Sequence, residues 1–464
     1  MTKHSVDVVV VGAGPGGYVA AFAAADQGLS VALVDADNRL GGVCLNRGCI
    51  PSKALLHIAK LIRENAAVAQ HGLSYGDPTI DIDKIREWKE SVIEKLSGGI
   101  GFMSNKKKIT VINGRGLFQS SNTLRVDTSN GQVYVDFKYA IIAVGSRPAL
   151  PGAFDLGSQR IMTSTEALEL KDIPSRLLIV GGGYIGMELG TVYSALGSKV
   201  SVVEAQSTIL SGADPDLIRP LLKFTQSNFE SVMTSTQVKS MKSAKNKVKV
   251  TFSDGETTWD DHYDKILVSV GRTPNSQNMG IENTGISVDD RGYIIVNERL
   301  QTNEPNIYAI GDIIGGLMLA HKASKEAKIA VENIAGSTTL NTGYTIPAVV
   351  FTDPEVAWVG LTETEAKAKN IATKVAKFPW TASGRALTLD RTDGLTKLII
   401  DPSSDRVLGV GIVGAGAGEL IAEAGIAIEM GATAEDFANT VHAHPTLSES
   451  LMEAAESYYG SAAH

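Results

Sequence analysis

Two cysteines are all that 464 residues contain. They stand five apart in Gly41-Gly-Val-Cys44-Leu-Asn-Arg-Gly-Cys49-Ile-Pro-Ser-Lys53. A thiol pair can do redox chemistry: a thiolate attacks a disulfide sulfur, and the opened pair stores two electrons. Positions five apart on a regular helix are badly placed for an unstrained bridge. A bridge therefore needs a distorted turn, for which Gly48 and Pro51 are suitable. Lys53, four residues after Cys49, can share its helix face and favour the thiolate. Two unconnected buried thiols fit the spacing as well. So few cysteines exclude a disulfide-stapled scaffold and a four-thiolate zinc site, and no metal is expected.

A second reactive group lies near the C-terminus, in His442-Ala-His444-Pro445-Thr-Leu-Ser-Glu449. Pro445 suits the first turn of a helix, which leaves His444 at its entrance. Glu449 follows about a turn and a half later and can reach back to orient the imidazole. An oriented imidazole is the base that thiol chemistry needs. A capping or surface histidine is the plainer reading of the same residues.

The elements that must position these groups begin with a repeat. Val6–Val11 is a β-branched run suited to a parallel strand buried on both faces. It ends in Gly12-Ala-Gly14-Pro-Gly-Gly17, before a helix-like Tyr18–Gln27 and a strand Ser30–Val34 closed by Asp35. Leu177–Val180, Gly181-Gly-Gly183-Tyr-Ile-Gly186, Met187–Leu196, Lys199–Val203 and Glu204 repeat the pattern, each marker residue about 169 positions on. In each copy the first glycine makes the turn, the second admits a pyrophosphate, and the third lets helix and strand pack. The helix N-terminus adds amide donors, and the acid accepts from ribose hydroxyls. Glu204 repels a 2′-phosphate, and residues 205–208, Ala-Gln-Ser-Thr, offer no cation to receive one. The second nucleotide is therefore read as NAD.

Further strands end in glycine turns at Gly145, Gly271 and Gly311-Asp312, and short strands between 110 and 139 suggest a meander. From Tyr344 the texture changes to strands at 347–351, 395–400 and 407–413, with helices at 362–369 and 419–429. The expected architecture is α/β: two Rossmann-like dinucleotide-binding domains (1–148 and 149–272), a central domain (273–346) and a C-terminal α+β domain (347–464). The net charge of −8 disfavours nucleic acid as the main partner. No apolar run is long enough to span a membrane, and no secretory signal is visible. A soluble, cytoplasmic globular protein is expected.

Together, the cysteine segment 41–53, the two glycine units, Ala309-Ile-Gly-Asp312 and His444-Pro-Thr-Leu-Ser-Glu449 resemble the pyridine nucleotide-disulfide oxidoreductases. The resemblance covers essentially the whole chain, with the motifs in family order. It is strongest to the members that oxidise dihydrolipoamide. It implies FAD at Gly12, Gly14, Gly17 and Asp35, with Lys53, Gly116, Asp312 and Ala320 close by. It implies NAD at Gly181, Gly183, Gly186, Glu204, Val238 and Gly271. Cys44 and Cys49 become the redox disulfide, Cys44 attacked by substrate and Cys49 facing the flavin. Lys53 and Glu188 become an ion pair beside the flavin. His444, oriented by Glu449, becomes the acid–base, supplied by the other subunit of a homodimer. The implied partners are lipoylated carrier proteins. Tyr184 and Arg47 depart from the common pattern. Tyr184 resembles a tyrosine that covers the nicotinamide pocket in glutathione reductases, or is local packing. Arg47 tunes the thiols, binds a carrier carboxylate, or is a silent surface residue. A glutathione-reductase-like enzyme is the alternative, weakened by Leu45, Leu447, Ser448 and the missing cations near Glu204. A flavin and NAD redox sensor or scaffold is a third reading.

Overall fold

A computed structural model of the chain describes residues 2–461. β1 (Thr2–Val11) has a fully buried inner half, Val8–Val11, because neighbours flank it on both sides. It pairs parallel with β2 (Val31–Asp35), Val8 against Val31, and with β6 (Gly131–Ile142), Val8 against Tyr139. It starts before Val6 because the polar residues Thr2–Ser5 also pair with Val133–Asp136. Backbone pairing, not burial, extends the strand. α1 (Pro15–Asp26) makes the first crossover. α2 (Gly42–Arg47), α3 (Cys49–Val68) and α4 (Ile82–Lys106) fill the excursion to β3 (Thr110–Asn113). β4 (Arg115–Ser120) and β5 (Thr123–Thr128) then form an antiparallel meander with β6, and the sheet runs β3-β2-β1-β6-β5-β4.

The second unit opens with β7 (Ser146–Pro148), β8 (Ile161–Met162) and α5 (Ser164–Glu169). β9 (Arg176–Val180), α6 (Tyr184–Ala195) and β10 (Lys199–Val203) repeat the β1-α1-β2 arrangement. α7 (Pro215–Asn228), β11 (Ser231–Met233), the antiparallel β12 (Gln237–Ala244), β13 (Lys247–Ser253) and β14 (Thr258–Tyr263), and β15 (Lys265–Val268) follow. The parallel sheet runs β11-β10-β9-β15-β8. β16 (Arg272–Pro274) lies antiparallel to β7, so the chain entering this unit and the chain leaving it run side by side. β17 (Ile307–Ala309) returns to the first sheet beside β6, and α8 (Ala320–Ile334) packs on α1. The last unit is an antiparallel sheet, β18-β19-β22-β21-β20. Its strands are β18 (Ala348–Val350), β19 (Glu355–Gly360), β20 (Lys374–Pro379), β21 (Leu395–Ile400) and β22 (Val407–Gly414). α9 (Glu363–Ala368) and α10 (Gly384–Thr388) lie in its connections, and α11 (Ala417–Glu429), α12 (Ala434–Asn439) and α13 (Glu449–Tyr459) follow.

Both fingerprint helices start earlier than the sequence reading placed them. α1 begins at Pro15 and α6 at Tyr184, directly after the second glycine. The third glycine is therefore inside the first turn. A Cβ on Gly17 would sit 1.7 Å from the Gly12 carbonyl oxygen, and one on Gly186 would sit 2.2 Å from that of Gly181. Glycine here permits contact rather than breaking the helix.

A buried charge cluster ties the second unit to the last. Lys397 on β21 is 1% exposed, and its ammonium lies 2.7 Å from Asp214 and 2.8 Å from Asp216. Asp214 also accepts from the amides of Glu363 and Thr364, both at 2.9 Å. Burial opposes ionisation of Asp214, but the hydrogen bonds from Lys397, Thr364 and these amides outweigh it, and its pKa is about 2. A lowered carboxyl pKa stabilises the fold above the unfolded value, and that contribution disappears as pH falls through the folded one. The stability difference between wild type and Asp214→Asn should therefore shrink between about pH 4 and pH 2, read by denaturant titration at each pH. Lys397→Met alone should cost about 3–5 kcal/mol, because it strands buried carboxylates. The double variant with Asp214→Asn should recover part of that loss.

Candidate active site

Each glycine loop is closed by its own acid in the same way. Asp35 accepts from the Ala13 amide at 2.5 Å and from the Asp37 amide at 2.8 Å. Glu204 accepts from the Gly182 amide at 2.7 Å and from the Gln206 amide at 2.8 Å. Gly12 and Gly181 have φ of +101° and +107°, and a Cβ on either would lie 2.4 Å from a carbonyl oxygen of the neighbouring strand end, Ala143 or Ser269. The second glycines differ. A Cβ on Gly183 would meet nothing within 4 Å, and one on Gly14 would only reach Gly42 at 4.0 Å. These two positions face open space at a helix N-terminus, the place where a pyrophosphate sits.

A continuous cavity of 590 Å³ runs from the first loop to the cysteines. Of the residues singled out in the sequence, Gly12, Gly14, Asp35, Gly116, Cys44, Cys49, Lys53, Glu188, Asp312 and Ala320 line it. Gly17 lies behind it as packing. Gly181, Gly183, Gly186, Glu204, Val238 and Gly271 are not in its wall; they belong to the second unit. Val238 is on β12, paired with Phe252. Gly271 precedes β16 and accepts from the Ala149 amide. Tyr184, the residue after Gly183, does open on the cavity, so the two loops meet there.

The cysteines flank a break between two helices. Cys44 is on α2, and Cys49 is the first residue of α3. Gly48 between them has φ −144° and ψ −113°, and a Cβ there would lie 2.9 Å from the Val43 carbonyl oxygen. Gly48 is thus the distorter. Pro51 is not, because it sits buried in the first turn of α3, where proline fits. The two thiols hydrogen-bond each other. The Cys44 thiol is raised, first by this bond and then by burial, so it holds its proton. Cys49 is lowered to about 7, first by the bond from Cys44, with burial opposing and Lys53 assisting.

Lys53 lies one turn along α3 from Cys49, and its ammonium is 2.8 and 2.9 Å from the two carboxylate oxygens of Glu188 on α6. Glu188 also accepts from the Ser52 hydroxyl at 2.8 Å and from the Phe351 amide at 3.1 Å. The Lys53 ammonium lies 4.6 Å from the centre of the Phe351 ring. Arg47 is not free. Its guanidinium pairs with Asp37 at 2.5 Å, on the loop that carries Asp35. Asp312 accepts from the Ser146 hydroxyl at 2.5 Å and has Arg272 at 3.6 Å.

His444 stands apart from the cysteine cavity of its own chain, with its side chain 77% exposed. Its Nδ1 is 2.9 Å from a Glu449 carboxylate oxygen, and the other oxygen accepts from the Thr446 amide at 2.7 Å. Burial opposes ionisation of Glu449, but the Thr446 amide and His444 outweigh it and lower its pKa. The helix entrance differs from expectation. α13 starts at Glu449, so Pro445 lies in the turn before it and not in its first turn. The carboxylate reaches back from the first helical position.

Residues 6–327 match the model of the pyridine nucleotide-disulphide oxidoreductases, and residues 346–455 match that family's dimerisation domain. The chain belongs to this family. It is 48% identical over 462 residues to a dihydrolipoyl dehydrogenase of Vibrio cholerae, covering 99% of this chain and 97% of that one. It is 47% identical over 463 residues to one from Haemophilus influenzae, with the same coverage. The solved HOCl-induced flavoprotein disulfide reductase RclA of Escherichia coli superposes with a TM-score of 0.86 at 28% identity, over 96% of this chain and 98% of that one. The family's cofactors are FAD and NAD, and the residues present fit both. The first loop, its acid and the cavity suit a flavin dinucleotide; the second loop and its acid suit NAD.

Sequence reasoning missed Ser52, Phe351, Ser146 and Arg272 as members of this site. Ser146 and Arg272 had a signal, since each follows a glycine turn after a buried strand. Phe351 had none, because it acts through its backbone amide. The thiol asymmetry is measurable in the reduced protein. Cys49 should be alkylated by iodoacetamide with a midpoint of about 7. Cys44→Ala should move that midpoint up towards the ordinary thiol value, and Lys53→Met should move it up by less. A midpoint indifferent to Cys44 would refute the assigned cause.

Proposed function

We propose that this enzyme oxidises the dihydrolipoyl group of a separate carrier protein to lipoyl disulfide and reduces NAD⁺ to NADH, with Cys44–Cys49 as the redox pair. The observation that carries this reading is the unequal thiol pair at one end of a cavity shaped for a flavin dinucleotide, beside a second loop whose acid selects NAD. The cytoplasm is the proposed location; among the described residues no helix is long and apolar enough to cross a membrane. The proposed division of the chain is 1–148, 149–272, 273–346 and 347–464.

The substrate-facing chemistry follows from the chain's own groups. Glu449 occupies Nδ1 of His444, so Nε2 is the atom that takes the proton from a substrate thiol. The substrate thiolate attacks Cys44 of the oxidised pair, forms a mixed disulfide and releases Cys49. Cys49 is the better leaving group because its pKa is lower. The second substrate thiol then closes the lipoyl ring and frees Cys44. FAD, when bound, would supply the two-electron chemistry that links the thiol pair to NAD⁺. Gly12, Gly14, Asp35, Gly116, Asp312 and Ala320 would hold the flavin, and Lys53 with Glu188 would fix the charge beside it. Gly181, Gly183, Gly186 and Glu204 would hold NAD, assisted by Val238 and Gly271. His444 is exposed and outside the wall of its own chain's cysteine cavity, and in this reading it serves the cysteines of the other protomer in a homodimer.

A glutathione-type reductase running on NADPH would need cations beside Glu204, and residues 205–208 supply none. The deciding experiment is an anaerobic assay with dihydrolipoamide and either NAD⁺ or NADP⁺. Fast NADH formation with little NADPH is the expected result, and His444→Ala should lower turnover by about 10²–10⁴-fold. Full disulfide turnover in that variant would leave a redox sensor or scaffold as the better reading, and a preference for NADP⁺ would overturn the role of Glu204.

A further inference from the structure

We propose that the buried Lys322–Glu326 ion pair is a positioning device for the turn 311–315, and through that turn sets Asp312 against the flavin; this rests on the FAD reading above. The two side chains are one helical turn apart on α8, 2.7 Å apart, with Glu326 fully buried and Lys322 9% exposed. A buried ion pair gives little net stability over well-packed apolar residues, so stability alone does not account for one here. Its placement does. Glu326 accepts from the Gly311 amide at 2.7 Å, at the start of the turn. Lys322 donates to the Gly315 carbonyl at 3.1 Å, at its end. Asp312 lies between the two grips.

The turn needs such a hold. Gly311 and Gly315 have φ of +78° and +77°, so both ends have backbone angles that favour glycine. The strand before it, β17, pairs with β6 as far as Ala309, and the Ile310 amide still donates to the Ile142 carbonyl, so the sheet's hold ends just before the turn. On the inner side the Asp312 carboxylate meets Ser146 and Arg272, and it lines the cavity. Ala320 and Ala323 of α8 also line the cavity, whereas Lys322 and Glu326 lie behind the wall. They can act on a bound flavin only through the turn, as positioning residues. Asn341 donates at 3.4 Å to the same Glu326 oxygen that Lys322 contacts, which fixes that carboxylate from a third side.

The test is a double-mutant cycle read by flavin release, not by turnover. FAD dissociation is followed by recovery of flavin fluorescence on dilution for wild type, Glu326→Gln, Asp312→Asn and the double variant. Each single substitution should speed release by about tenfold or more, as expected for a lost hydrogen bond to a charged group. The double variant should release FAD about as fast as the worse single, because both changes remove the same contact. Multiplying rates in the double variant, or wild-type release from Glu326→Gln, would overturn the proposal. If Glu326→Gln does not fold, the pair replacement Lys322→Met with Glu326→Leu removes the stranded charge and enters the same cycle. Its thermal midpoint without flavin should stay near wild type while release still quickens. A folded wild-type protein that retains no flavin would instead overturn the FAD reading itself.

Discussion

The Glu188 carboxylate is the point on which the site is assembled. It is almost fully buried, and it accepts from a lysine, a hydroxyl and a backbone amide. A carboxylate in that position is tolerated only while those donors surround it, since an unpaired buried charge is among the costliest defects a fold can carry. The donors come from separate parts of the chain. Ser52 and Lys53 belong to the cysteine-bearing helix, Glu188 to the helix that starts at the second glycine loop, and Phe351 to the segment leaving β18. One hydrogen-bonded cluster thereby sets the relative position of the first nucleotide unit, the second and the last sheet. The apolar core crosses the same junction, with Leu55 and Leu56, Met187 and Leu189, and Val350 and Val413 in one cluster.

The duplicated units show why both loops keep the same local chemistry while serving different ends. In each, the acid after the second strand accepts from an amide of its own glycine loop and from the amide two residues ahead. This fixes the orientation of each carboxylate from within its own loop. The copies then diverge in what surrounds them. The excursion between β2 and β3 in the first unit holds the cysteine helices and places them across the mouth of the loop, where Gly42 approaches Gly14 so closely that a Cβ would sit 2.6 Å from its Cα. The second unit has no such excursion.

The sequence made the parallel strands, the glycine turns and the acids legible because each is local: a β-branched run, a fixed spacing and a terminal carboxylate. The cysteine pair and the lysine one turn later were legible for the same reason. What it hid depends on distant parts of the chain meeting. β17 joins the first sheet from position 307, which brings Asp312 to a loop three hundred residues earlier. Arg272 reaches Ser146 because β16 and β7 lie side by side. The partner of Arg47 is Asp37, which no spacing rule would select over solvent. Helix starts were misread where glycine and proline served packing and turn formation. Gly186 sits inside a helix, and Pro445 sits before one.

The unequal thiols follow from the break at Gly48. A continuous helix through 44–49 would point the two side chains to different faces and give both the same kind of environment. The break ends α2 after Arg47 and makes Cys49 the first residue of a new helix of 20 residues. A helix N-terminus favours negative charge on a thiol, and Lys53 sits one turn along the same helix. Cys44 also feels the Cys49 amide and the Lys53 charge, but its bond to Cys49 and its burial outweigh them, and it is left to donate its proton toward Cys49. The asymmetry gives the proposed reaction a direction. Substrate sulfur joins the thiol that ionises poorly, and charge collects on the one that ionises well, next to Lys53. Glu188 limits how far this goes, since it neutralises Lys53 and works against the Cys49 thiolate. The carboxylate that assembles the three units therefore also acts on the Cys49 thiol.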